Sequence, residues 1–249
     1  MIKFQNVALS YQKNTVLEGV SFSLERGEFV YLIGENGAGK STLVQLLCKE
    51  LKPDSGEIYM FGKSIKKARD TRLKRKMGIV FQDHSKYLLG NKTVYENLSY
   101  ALESLGTNPF KIRPKVMDAL DMLGLTEHEK KMPYELSGGQ KQCLSIARAI
   151  VTNPKLLICD EPTANLSVEN RDMVMGYLHE INQKGTTVLL ITHDHEILAN
   201  KKESHRVLHV KEGRIIEEWI EVKDVMLSDA DMQIYHGIID DIKGKNRGE

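Results

Sequence analysis

An α/β fold is what this sequence predicts: a largely parallel sheet with crossover helices and a mostly helical lobe inserted into it. Three observations carry the prediction. An apolar run at 29–33 ends in a glycine-rich turn, a helix-rich stretch fills the middle of the chain, and strand–helix alternation resumes after 156.

Residues 2–9 and 20–24 alternate apolar with polar, the pattern of half-buried strands. Residues 29–33, FVYLI, have almost no polar break and read as a strand covered on both faces. Past the glycine-rich turn, 41–51 show helical periodicity, and 56–61 and 77–81 are two further short strands. The character then changes from about 83 to 153, where 93–105, 115–123 and 140–151 suit helices separated by glycine and proline. A strand at 156–159, a helix over about 169–182 and a strand at 187–192 restore the alternation. Segments 207–210 and 214–218 make a closing hairpin across Lys211-Glu212-Gly213. From about 221 the chain is a polar tail, with a short helix suggested around 230–242.

The chain's 249 residues are 41% hydrophobic and 28% charged, enough for one large domain or one domain of two lobes. Lys and Arg total 35 against 34 Asp and Glu, a net charge of +1 that argues against a nucleic-acid partner held through phosphate contacts. The basic cluster between 63 and 76 reads as a solvated face. Cys48, Cys143 and Cys159 form no CxxC pair and are expected to be buried free thiols in a reducing compartment. The N-terminus lacks the apolar core of a secretory signal, and no stretch approaches the ~20 apolar residues of a membrane span. The expectation is a cytoplasmic protein that meets the inner face of the membrane only through a partner.

Gly34-Glu35-Asn36-Gly37-Ala38-Gly39-Lys40-Ser41-Thr42 matches GxxxxGK[ST], directly after a predicted strand and before a predicted helix. Glycines there let successive backbone N–H groups turn inward as an anion nest, and the following helix points its positive end at the same spot. Lys40 can reach β- and γ-phosphates, and the Ser41 hydroxyl can sit on Mg²⁺. An incidental glycine-rich turn would not need the flanking strand and helix. The motif implies nucleoside-triphosphate chemistry without saying which kind.

Leu156-Leu157-Ile158-Cys159 leads into Asp160 and Glu161, so two acids stand at the C-terminal end of a strand, where ligands bind in open α/β sheets. Acids there can also cap a helix or face solvent. Beside a phosphate cradle, Asp160 suits holding Mg²⁺ and Glu161 suits polarising an attacking water as general base. Leu136-Ser137-Gly138-Gly139-Gln140 opens a helix, with Ser137 as a good N-cap and two glycines that let a phosphate approach the backbone.

With that LSGGQ segment the sequence resembles the nucleotide-binding domains of the ABC family over about 1–218. The resemblance implies a P-loop NTPase (RecA-like) core with an N-terminal antiparallel β subdomain and an inserted α-helical lobe at about 84–153. One ATPase domain would then span 1–220, leaving 221–249 as a tail of unassigned role. It implies that Tyr11 stacks on adenine, that Gln82 touches Mg²⁺ and links to a membrane partner, and that His193 contacts the γ-phosphate and orients Glu161. Residues 36–42 would hold ATP, with Ser41, Gln82 and Asp160 around Mg²⁺, and Glu161, His193 and Lys40 acting in catalysis. Ser137, Gly138, Gly139 and Gln140 would complete the cradle of a second copy, so that two subunits sandwich two ATP head to tail.

Within the family, the stretches at 27–32, 80–83, 93–97 and 147–151 look like FtsE, the cell-division ATPase, which implies an FtsX-like membrane partner and control of cell-wall hydrolases. ATPases of small-molecule, peptide and lipoprotein transporters share much of the pattern, as do those of vitamin importers. Two positions depart from the family: Cys143 replaces an arginine, and Ser167 replaces an aspartate that couples the two ATP sites. The departures imply slower or less coupled hydrolysis, in the extreme a weakly hydrolysing ATP-switched regulator.

Overall fold

The computed structural model describes residues 1–12, 14–67, 73, 75–83, 87–193 and 205–221. Side chains of 205 and 217–221 are not described, and the tail with its expected helix at 230–242 lies outside the described residues. Part of the basic cluster, 68–72 and 74, is outside them too.

Two sheets form the frame. The first is antiparallel, in the order β2 (Asn14–Leu24), β1 (Ile2–Tyr11), β4 (Ser55–Met60), β5 (Lys63–Ser64). The second runs β10 (Arg214–Glu221), β9 (His205–Lys211), β3 (Phe29–Ile33), β8 (Thr187–Ile191), β7 (Leu156–Asp160), β6 (Met77–Val80). Its five strands from β9 to β6 are mutually parallel, and only the β9–β10 hairpin is antiparallel.

Both faces of this sheet are covered, and alternate residues of each central strand divide between two cores. Val30 and Leu32 of β3, Leu156 and Ile158 of β7, and Leu189 and Ile191 of β8 pack with the antiparallel sheet and α1 (Lys40–Leu47). Phe29, Tyr31 and Ile33 with Leu157, Cys159, Val188 and Leu190 pack on the other face against the helices. Double coverage explains why these strands read as unbroken apolar runs. Those helices are α2 (Val94–Ser104), α3 (Ile112–Met122), α4 (Gly138–Ile150) and α5 (Val168–Gln183). A Thr93–Glu96 capping box opens α2, and a Ser137–Gln140 capping box opens α4. Helices α2, α3 and α4 touch one another, and α4 also packs on β6. No helix among the described residues is long and apolar enough to cross a membrane.

Several boundaries differ from the sequence expectation. The helix expected over 41–51 stops at Leu47, because Lys49 adopts a left-handed φ of 60° and the chain turns toward Pro53. The helix expected from 115 begins at Ile112, since Pro114 falls in its first turn, where a missing N–H costs nothing. Strand β2 begins at Asn14 rather than 20, carried by its pairing with β1. The hairpin expected over 207–218 is β9–β10.

Its turn does more than close the sheet. Gly213 donates to the Ala38 carbonyl at 3.1 Å and accepts from the Glu18 N–H at 2.9 Å, so it braces the phosphate loop against β2. With φ +74° and the Val16 carbonyl pressed against the place a Cβ would take, this position admits only glycine without strain.

Candidate functional site

Three parallel neighbours, β3, β8 and β7, end at one sheet edge, and the loop at 34–39, Thr192 and the Asp160–Glu161 pair follow from those ends. Gly34 (φ +150°) and Gly39 (φ +108°) shape the loop. Gly39's φ of +108° strains any L-residue, and a Cβ there would also lie 3.1 Å from the Val16 carbonyl of β2. Gly39 is also the N-cap of α1 and supplies no side-chain acceptor, which leaves the first-turn N–H groups to an incoming anion.

Lys40 is 7% exposed, and its Nζ donates to the carbonyls of Gly34 at 2.6 Å and Glu35 at 3.0 Å. Burial pushes its ammonium below the usual lysine range, against the opposing pull of Glu161 and Asp160. Asp160 is pushed up by burial and by its neighbour Glu161, and Lys40 offsets part of this. Lys40, Asp160 and Glu161 therefore share one electrostatic site. Asn36, Gly37 and Ser41 are exposed on it, whereas Ala38 and Thr42 are buried supports.

Glu161 is the most constrained of these residues. It holds a left-handed φ of 49° and is 9% exposed, while its N–H donates to the Ile191 carbonyl at 2.9 Å. A non-glycine residue in that region costs on the order of 1–3 kcal/mol and persists only where surroundings over-determine it. Here Thr192 Oγ1 donates to Glu161 Oε2 at 3.3 Å, and His193 Nδ1 meets Oε1 at 2.6 Å. Both carboxylate oxygens are thus aimed. Sequence reasoning singled out Glu161 and His193 but passed over Thr192. A sequence signal was present, since Thr192 directly follows the apolar run 188–191 and precedes His193; the structure buries it fully.

Gln82 lies exposed just past the end of β6, at the same sheet edge. Tyr11 is exposed at the end of β1, its hydroxyl 3.5 Å from Gln45 Oε1 on α1. Ser137 and Gly138 are exposed at the start of α4, and Gly139 is buried. A Cβ on Gly139 would sit 2.7 Å from Asn170 Oδ1, and Asn170 Nδ2 in turn donates to Ser167 Oγ at 3.1 Å. Ser167 N-caps α5, accepting from the Asn170 N–H at 3.4 Å. Cys143 is a core residue of α4 facing the helices. None of Ser137, Gly138 and Gln140 bonds to the Lys40–Asp160–Glu161 group.

Among the described residues no group of three or more His, Cys, Asp or Glu converges to hold a metal. One carboxylate (Asp160), one hydroxyl (Ser41) and one amide (Gln82) are hard oxygen donors. Such a set fits Mg²⁺ that shares its sphere with phosphate oxygens and water, and does not fit an all-protein cage.

The family model described as ABC transporter matches residues 17–164. The chain is 44% identical over 222 residues to the cell division ATP-binding protein FtsE of Streptococcus pneumoniae, covering 88% of this chain and 95% of that one. Among solved structures it is similar to cbiO1 from Clostridium perfringens, part of the ABC transporter complex cbiONQ. That match has a TM-score of 0.80 and 34% identity, over 87% of each chain. The ATP-binding cassette MJ0796, solved as a dimer in a post-hydrolysis state with ADP and Pi, matches with a TM-score of 0.76 and 30% identity, over 88% of this chain and 98% of that one.

Proposed function

The chain belongs to the ABC transporter family of ATP-binding proteins, and from that premise we propose that two copies close head to tail around two ATP molecules and drive conformational change in an integral membrane partner. The observation that carries the hydrolytic step of the proposal is the aimed carboxylate of Glu161, gripped through both oxygens beside Lys40 and Asp160, and the dimeric cassette MJ0796 supports the pairing.

In the proposed reaction Glu161 accepts a proton from water as the water oxygen attacks the γ-phosphorus. The bond from that phosphorus to the β,γ-bridging oxygen breaks, giving ADP and phosphate. His193 holds Glu161 in line, and Thr192 fixes its second oxygen. Lys40 and the loop N–H groups offset charge on the β- and γ-phosphates. Ser41, Asp160 and Gln82 would hold Mg²⁺, which when bound neutralises phosphate charge. Asn36 to Thr42 line the phosphates, and Tyr11 stacks on adenine. Ser137, Gly138, Gly139 and Gln140 serve the nucleotide of the other copy, which suits the exposure of Ser137 and Gly138 and their distance in bonding from their own Lys40 site.

The likeness to FtsE, a cell division ATP-binding protein, supports a role in division, with an FtsX-like membrane partner and control of cell-wall hydrolases. The chain would then be peripheral at the inner face of the membrane. The likeness to cbiO1, part of a transporter complex, supports the alternative of a transporter subunit.

Phosphate release by purified protein tests the hydrolytic assignment. Glu161→Gln should lower it by about 10²–10⁴-fold, the usual contribution of a general base, with ATP binding retained. One observation favours a second reading, an ATP-switched regulator: Ser167 spends its hydroxyl on capping α5 and brings no charge to the site. Equally slow release by wild type and Glu161→Gln would select that reading.

A further inference from the structure

His128 ends a short 3-10 turn, Thr126–His128, that precedes the LSGGQ segment, and its Nε2 lies 2.9 Å from Gln140 Nε2. Which atom carries the proton follows from the bonds around Gln140. The Ser137 N–H can only donate, and it points at Gln140 Oε1 at 2.9 Å. That contact fixes the carboxamide and leaves its NH₂ facing the imidazole. His128 Nε2 must therefore accept, which places the ring proton on Nδ1. Nδ1 is buried and has no hydrogen-bond partner among the described residues, so the tautomer is set by the Gln140 contact alone.

We infer that His128 is a positioning residue for the LSGGQ turn, acting as an obligate acceptor that locks the Gln140 carboxamide. The chain of contacts is short. His128 orients Gln140, the Gln140 carbonyl oxygen holds the Ser137 N–H, and the Gln140 N–H engages Ser137 Oγ at 3.3 Å. With Ser137 Oγ already accepting, its own proton is left to donate outward. A donor at position 128 would turn the carboxamide over, set NH₂ against the Ser137 N–H, and open the capping box. The turn is thus shaped before any second copy arrives, and ordering it costs the dimer nothing at the moment of closure. This inference rests on the reading that LSGGQ grips the nucleotide of a second copy.

Two measurements on the full chain test it. Long-range ¹H–¹⁵N NMR of the imidazole in the ATP-free protein reads the tautomer directly. Proton on Nδ1 is expected, and proton on Nε2 overturns the inference. The second measures, in a Glu161→Gln background, the ATP concentration giving half-maximal dimer by analytical ultracentrifugation. His128→Gln keeps an acceptor and should stay within about twofold of the parent. His128→Lys offers only donors and should need about fivefold more ATP, the factor a typical lost cap implies. His128→Lys dimerising like its parent overturns the role of His128 while leaving the dimer reading intact. Absence of an ATP-dependent dimer in the parent itself overturns the dimer reading, and this inference with it.

Discussion

Lys40 and Asp160 each sit where burial opposes their charge, and each is partly rescued by the other. Truncating Lys40 to Ala removes the cation that donates to the loop carbonyls of Gly34 and Glu35. Backbone donors alone then face a triphosphate, and isothermal titration should show ATP affinity reduced by at least about tenfold, what one charge-assisted hydrogen bond supplies. Asp160 makes the opposite case. Its folded pKa is raised, so it favours folding while protonated and weakens the fold as pH rises through the carboxylate range toward its folded value. Asp160→Asn should accordingly raise the melting temperature at pH 7 in EDTA without nucleotide, by a gain of about 0.5–2 kcal/mol, the common range for relieved functional sites. Phosphate release by the same variant should fall. At Ser167, where the hydroxyl is a cap rather than a charge, Ser167→Asp keeps the cap and restores the family's acid. Steady-state assays should then show faster turnover or a steeper ATP dependence, and an unchanged rate and cooperativity would count against a coupling role for position 167. The residues of the candidate site were legible in the sequence where a motif marked them, as for Lys40 and Glu161, which the fold brings into one electrostatic group. Contacts that depend on a tertiary neighbour were hidden: Thr192 and His128 stand out only once the fold sets them beside Glu161 and Gln140.

Elements carry the geometry that those residues need. The β9–β10 turn reaches across to the phosphate loop, with Gly213 hydrogen-bonded to Ala38 and Glu18. Gly213→Ala adds a methyl against the Val16 carbonyl and forces an L-residue to a φ of +74°. The expected cost is about 1–3 kcal/mol in chemical denaturation, together with weaker ATP binding because the loop loses its brace. A periodic pattern showed the hairpin in the sequence but not its contact with the loop, since sequence separation there is more than 170 residues. The same limit applies to β5, a two-residue strand that exists only by pairing with β4. Doubly covered β3, β7 and β8 were readable because each is apolar on both faces. Helix ends were less so: Pro114 resembles a breaker and is a first-turn residue, and Lys49 ends α1 through a backbone angle that its side chain does not announce.

At the scale of the whole molecule, the proposed function divides one chain into two half-sites. The Lys40–Asp160–Glu161 group lies at the strand ends, and the exposed Ser137–Gly138 turn lies at the start of α4 with no bond to it. Head-to-tail pairing of two copies would bring each half to the other. The native thiols leave room for a direct test. Burial pushes Cys143 up to about 11, and Cys159 lies fully buried, so both are poor nucleophiles. Burial pushes the Cys48 thiol up to about 12 as well, but Cys48 is only half-buried and so is replaced by serine. In a Glu161→Gln, Cys48→Ser background, chains carrying Asn36→Cys are mixed with chains carrying Ser137→Cys and oxidised with and without ATP. Disulfide-linked pairs of one chain of each kind, formed only when ATP is present, are the predicted result. Linkage that ignores ATP, or an internal disulfide when both substitutions share one chain, would contradict a nucleotide gripped between two copies.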